Sequence, residues 1–216
     1  MRDETRSKIK LAFLLLVAFV PITMASIAFR SAVENGGFGD TVNKGHLILP
    51  PADITDLTMT DDMGRPIFRS FEERIAELEN EDDYVPEPWL MVFVTARNCD
   101  AECDDRIHLL RQMHITLNKN MPRVRRYYVN ATGAELSAQA AEHFRIEYPS
   151  MGVANGDKDA ILTNLAAKNV NIDLDNNNYI FFVDPVGNVM MYYEPHHTIE
   201  EIKADLVKLL GISSLG

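Results

Sequence analysis

The chain has little sulfur to spare: Cys99 and Cys103 are its only cysteines among 216 residues. Two thiols cannot form the disulfide framework of a small secreted scaffold. It has no G-x-S-x-G elbow, no H-E-x-x-H helix and no phosphate loop, so the signatures of those hydrolases, metalloproteases and nucleotide enzymes are missing. Internal repeats and low-complexity tracts are absent too, which excludes solenoids and compositional linkers as the main architecture. Positive charge is scarce. The 21 Lys and Arg face 32 Asp and Glu, a formal charge of -11. Five of those bases (Arg2, Arg6, Lys8, Lys10, Arg30) and only two acids fall in residues 1–30, leaving 16 bases against 30 acids, or -14, for the remainder. A field of that sign repels phosphate backbones and makes nucleic acid a poor partner.

The chain opens instead on an uncharged run, residues 11–29, LAFLLLVAFVPITMASIAF. As a helix it would span roughly 28 Å, close to the hydrocarbon thickness of a bilayer. Lys8, Lys10 and Arg30 can snorkel at its two ends. Bases crowd the amino-terminal side, so the positive-inside rule keeps the short tail in the cytoplasm and exports the residues after Arg30. Pro21 can kink the span. The rival reading is a cleaved signal peptide with Ser26 and Ala28 as a small-x-small site, and the length of the run favours an anchor. The basic tail does not resemble a mitochondrial transit peptide, which points to a bacterial inner membrane with the main domain facing the periplasm. Residues 31–46, with NGGFGDTVNKG inside them, read as a linker whose end Pro50 and Pro51 stiffen. The expected organisation is a tail and anchor over 1–30, a linker over 31–46 and one domain over 47–216. A 46% hydrophobic share is enough to pack its core.

Within the domain, DLTMTDDMGRPIFRS predicts a short hairpin turning at residues 62–64. LMVFVT, residues 90–95, is a continuous apolar run of strand length, as expected of a buried central strand. A helix is predicted over about 100–118, with Cys103, Ile107, Leu110, Met113 and Leu117 forming its apolar stripe. A strand at 124–129 and a helix at 136–144 come next. Strands at 179–183 and 188–193 flank the turn DPVG as an antiparallel hairpin. The last helix has Thr198 as N-cap, Glu201 completing a capping box and Gly211 as its stop.

Strand, helix, strand, helix, strand, strand, helix is the order of the thioredoxin fold, an α/β fold with a central mixed sheet flanked by helices. The C-x-x-x-C pair after a hydrophobic strand, the added amino-terminal hairpin, the insertion before the last hairpin and YIFFVDPVGN together resemble the SCO family. That resemblance covers residues 47–210 and the single anchor. It implies a membrane-anchored copper chaperone or thiol reductase that assists cytochrome c oxidase assembly. Its site residues would be Cys99 and Cys103, as redox pair or Cu(I) ligands, and its partners oxidase subunits or assembly factors. In that family a histidine just before the penultimate strand is the third copper ligand. The corresponding loop here, DLDNNN at 173–178, has no histidine and no proline.

The residues themselves leave several readings open. Positions four apart on a helix lie about 6 Å apart at Cα, within disulfide reach. A helix N-terminus lowers a thiol pKa, whereas Asp100, Glu102, Asp104 and Asp105 disfavour a thiolate and equally suit capping of the first turn. Two thiolates suit Cu(I), but His108 is rotated off the cysteine face and His114 lies about 16 Å along the axis. His196 and His197 reach a metal only if the fold brings that end round. Met113, Met190 and Met191 read as packing. The expected function is thiol–disulfide exchange or Cu(I) handling at Cys99/Cys103, with a non-catalytic scaffold holding a static disulfide as the alternative.

Overall fold

The computed structural model describes residues 2–34, 42–57, 59–61, 64, 66–68 and 87–213. The chain divides into two units, Met1–Thr41 and Val42–Gly216. In the first, a single helix α1 (Arg2–Glu34) runs through Pro21. Its stretch Ala12–Ser31 is long and apolar enough to cross a membrane, and the described side chains of that stretch are exposed. The hydroxyls of Thr23 and Ser26 donate to the carbonyls of Phe19 and Ile22 at 3.0 and 2.9 Å, which removes unpaired polar groups from the apolar surface. One amino-terminal helix of this kind fits a single-pass membrane protein.

The second unit contains, in order, β1 (His46–Asp53), β2 (Thr60–Asp61), β3 (Trp89–Thr95), α2 (Ala101–Ile115), a 3-10 turn (Asn118–Arg123), β4 (Val124–Asn130), α3 (Ala138–Glu147), β5 (Met151–Asn155), α4 (Lys158–Ala166), β6 (Tyr179–Val183), β7 (Asn188–Tyr193) and α5 (Ile199–Ile212). The strands form one sheet in the order β1-β7-β6-β3-β4-β5-β2. Strand β3 lies at its centre, parallel to β4 and antiparallel to β6. Strand β5 continues the parallel part beside β4, and β7 and β1 extend the antiparallel part. This mixed sheet with helices on both faces is a thioredoxin-like fold.

All seven residues of β3 are buried, which explains an apolar run without alternation. Successive side chains still point to opposite faces. Leu90, Val92 and Val94 join a cluster with Ile161 and Leu165 of α4. Trp89, Met91 and Phe93 join another with Ile107 and Leu110 of α2 and Ile202 and Leu206 of α5. The expected apolar stripe is buried from Cys103 to Leu117, although the helix expected over about 100–118 ends at Ile115 and Leu117 leads into the 3-10 turn. At the DPVG turn, Gly187 adopts φ +100°, and a Cβ there would fall 2.3 Å from Thr55 Cγ2. Only glycine suits that position.

Several expectations need correction. Pro50 and Pro51 do not end a linker; they lie in β1, and the β1–β7 register breaks between Leu47 and Ala52. An edge strand tolerates this because its outer N–H groups have no ladder partner to lose. Strand β5 and helix α4 were not anticipated. Gly211 does not stop α5, which continues to Ile212 and ends at Ser213. A glycine in the last turn costs only about 1 kcal/mol and meets open space. The helix expected at 136–144 instead spans Ala138–Glu147, because the Ser137 side chain accepts from Ala140 N and sets its start. For the early hairpin, Thr60 bridges Pro66 and Gly64 N donates to Asp61 O at 3.0 Å. Residues 62 and 63 of its turn, and 35–41 of the expected linker, lie outside the described residues.

The start of the second unit is held by one buried carboxylate. Asp205 of α5 accepts from Lys44 N (2.8 Å), Gly45 N (2.9 Å) and Tyr193 Oη (3.1 Å). Burial, with the Asp205 charge adding to it, pushes the Tyr193 phenol far above its ordinary pKa, so it donates at all working pH. Asp205→Ala strands these donors and is expected to lower unfolding free energy by about 3 kcal/mol, measured by urea titration of circular dichroism. A loss within about 0.5 kcal/mol would show that the anchor is not needed.

Candidate redox site

Strand β3 delivers the chain to a short loop, and α2 takes it away. Cys99 lies in that loop and Cys103 in the first turn of α2. Their sulfurs form a disulfide with Cα atoms 5.2 Å apart. Cys99 therefore precedes the helix rather than sharing its face; the bond ties loop to helix. Asp100 is the N-cap, its carboxylate accepting from Cys103 N at 3.0 Å. The capping reading of this acid is thus what the local geometry displays. The two sulfurs differ in access. Cys103 is 4% exposed among apolar neighbours, whereas Cys99 is half-buried.

Two groups of side chains hold this corner. Asp104 Oδ1 lies 2.9 Å from His143 Nε2 and accepts a hydrogen bond from Tyr148 Oη at 2.9 Å. Burial raises the Tyr148 phenol, and the bond to Asp104 adds to the shift, keeping the phenol a donor. This network pins α3 to α2 one residue past Cys103. On the other side, Arg106 donates to the carbonyls of Pro195 (2.9 Å), Glu194 (3.1 Å) and His197 (3.2 Å). Burial lowers the Arg106 pKa, while the charge of Glu102 opposes the shift. Neither group was anticipated from sequence. The partners of Asp104 lie 39 and 44 positions away and those of Arg106 lie 88 to 91 away, beyond any local spacing pattern.

The histidines weighed as metal ligands are employed otherwise. His197 is buried; its Nδ1 accepts from Glu194 N at 3.0 Å and its Nε2 lies 3.0 Å from Lys44 O. His114 Nε2 lies 2.8 Å from Val124 O, and burial lowers its pKa against the effect of that bond. His108 pairs with Gln112. His196 lies beside Glu194, 3.4 Å from its carboxylate. In the loop at 173–178, Asp173 accepts from Asp175 N, Asn176 N and Asn176 Nδ2. The Asn176 side-chain bond leads in holding its carboxyl below the usual range. Among the described residues no group of three His, Cys, Asp or Glu could hold a metal ion.

Comparison with known proteins adds three results. A family model for transmembrane-like, thioredoxin-like C-terminal domains matches residues 89–213. Among solved structures, BsSco, a member of the Sco family of cytochrome c oxidase assembly proteins in which a disulfide switch was identified, superposes with a TM-score of 0.51 at 11% identity, covering 81% of this chain and 100% of its own. Copper-bound ScoI of Arabidopsis thaliana gives 0.47 at 14%, covering 59% and 87%. The thioredoxin domain of a Bacteroides vulgatus thiol-disulfide oxidoreductase gives 0.44 at 13%, covering 74% and 96%. No curated protein matches. At 11% identity the superposition on BsSco shows the fold alone, and the family model describes it as thioredoxin-like.

Unequal access has a direct consequence once the disulfide is reduced. Iodoacetamide is expected to modify Cys99 at least roughly tenfold faster than Cys103, as read by peptide mass spectrometry of timed samples. Equal rates would show that the burial of Cys103 does not persist in the reduced state.

Proposed function

Because this chain belongs to the family of transmembrane-like, thioredoxin-like C-terminal domains, we propose that it is a membrane-tethered, SCO-like accessory to cytochrome c oxidase assembly, working by thiol–disulfide exchange at Cys99 and Cys103. Residues 1–30 form the cytoplasmic tail and anchor; the linker expected over 31–46 gives way at its ends to α1, which runs to Glu34, and to β1, which begins at His46 in the working domain expected over 47–216. That domain faces the periplasm of a bacterial inner membrane. The observation that carries the reading is a disulfide at the strand-to-helix corner with one sulfur half-buried and the other covered.

The exchange chemistry uses that asymmetry. A thiolate of a partner attacks Cys99 Sγ; the Cys99–Cys103 bond breaks, and Cys103 leaves as a thiolate that takes up a proton. The partner's second thiolate then attacks the mixed disulfide and releases Cys99 as a thiolate that takes up the second proton. The partner loses two electrons and two protons overall, and the pair gains them. Run in reverse, Cys99 attacks a partner disulfide and Cys103 resolves it. Asp104, His143 and Arg106 hold α2 in place while this occurs.

Copper handling is supported less well. A reduced pair would offer two soft thiolates suited to Cu(I). The three-ligand site implied by the SCO resemblance has no counterpart among the described residues, since 173–178 lacks a histidine and no His, Asp or Glu there groups with the two sulfurs. The donor set does not fit that centre, and no step is assigned to copper. The burial of Cys103 favours, as the second reading, a scaffold domain with a static disulfide.

Trapping separates the two. Cys103→Ser leaves Cys99 to attack without a resolving thiol, so non-reducing gels of native membranes are expected to show a dithiothreitol-sensitive adduct containing an oxidase subunit or assembly factor. Cys99→Ser is expected to show none. Absence of the adduct from both variants, or equal adduct in both, would support the static scaffold.

A further inference from the structure

Arg126 of β4 has a guanidinium inside the domain, 3% exposed. Its Nη2 donates to Ser150 Oγ at 2.6 Å, whereas Nε and Nη1 have no partner among the described groups. No carboxylate among the described residues pairs with it, although the chain as a whole is strongly acidic. Burial lowers its pKa, and the second cation nearby, Arg111 of α2, lowers it further, with Tyr148 opposing the shift. A buried charge with one neutral partner and a like-charged neighbour is costly unless something of opposite sign completes it.

Room for such an occupant exists beside it. Arg126 lines a cavity of about 10 Å³ with Met91, Phe93, Ile107, Leu110 and Met151, a volume matching one water-sized occupant. Tyr127 completes the lining, and the rest of the wall apart from the guanidinium is apolar. A water there could accept from the unpartnered Nε and Nη1 but would leave the guanidinium's charge uncompensated. An anion, by contrast, is held by charge at short range in a poorly solvated place.

We propose that this cavity binds a single halide-class monovalent anion on Arg126, beneath α2 and one turn beyond Cys103. The anion completes the guanidinium's hydrogen bonding and balances the Arg126–Arg111 repulsion. Its site is separate from the disulfide and does not depend on the exchange reading.

The test uses the full chain in detergent, transferred to gluconate buffer and titrated with sodium chloride while the ³⁵Cl line width is recorded. The wild-type chain is expected to broaden the line in excess of detergent alone, and bromide to suppress that excess. Arg126→Met is expected to abolish it. Met151→Phe, which fills the cavity and retains the arginine, is expected to do the same and covers the case in which the first variant fails to fold. The midpoint of thermal unfolding should rise in chloride over gluconate at equal ionic strength for the wild type alone. No excess broadening, broadening that bromide leaves intact, or broadening that persists in a folded variant would each overturn the proposal.

Discussion

Burial of β3 on both faces is the constraint on which the rest of the domain depends. Its seven residues contribute to two separate clusters, so the strand cannot slip by one position without exchanging Leu90, Val92 and Val94 for Trp89, Met91 and Phe93. Fully burying each large apolar side chain stabilises by about 1.5–3 kcal/mol, and ladders on both sides pair its backbone. The end of β3 is therefore fixed in space. The turn into α2 inherits that position, with Cys99 on the turn and Cys103 in the first helical turn after it.

The use made of that fixed position depends on the first helical turn. Asp100 caps α2 through Cys103 N, and Asp104 is engaged by His143 and Tyr148. These acids, two of the four around the pair, have structural partners. Arg106, in the next turn, ties α2 to carbonyls before α5. The disulfide thus rests on a helix end restrained from both flanks, and Cys99 is the sulfur left within reach. That division of labour is what exchange chemistry requires: one atom to meet a partner and one to close the bond afterwards.

Much of this was legible in the chain because it is encoded locally. The apolar run of β3, the DPVG turn and the Thr198–Glu201 capping box each depend on residues a few positions apart, and each appears where expected. The cysteine spacing marked the pair for the same reason. Strand β1 was hidden by Pro50 and Pro51, which argue against a strand unless its edge position is already known. Strand β5 carries Gly152 in only five residues, too short and mixed for a period to emerge. The braces at Asp104 and Arg106, and the employment of His197 in holding Lys44, join positions far apart in sequence. Only the assembled sheet brings them together.

The central claim is that Cys99 and Cys103 exchange their bond rather than keep it. The reduction potential of the pair, measured by equilibrating the protein with glutathione or thioredoxin buffers and alkylating the thiols, tests this most directly. Exchange predicts a value between about -120 and -270 mV, the range of working exchange proteins. A value below about -300 mV would mark a structural staple and contradict it.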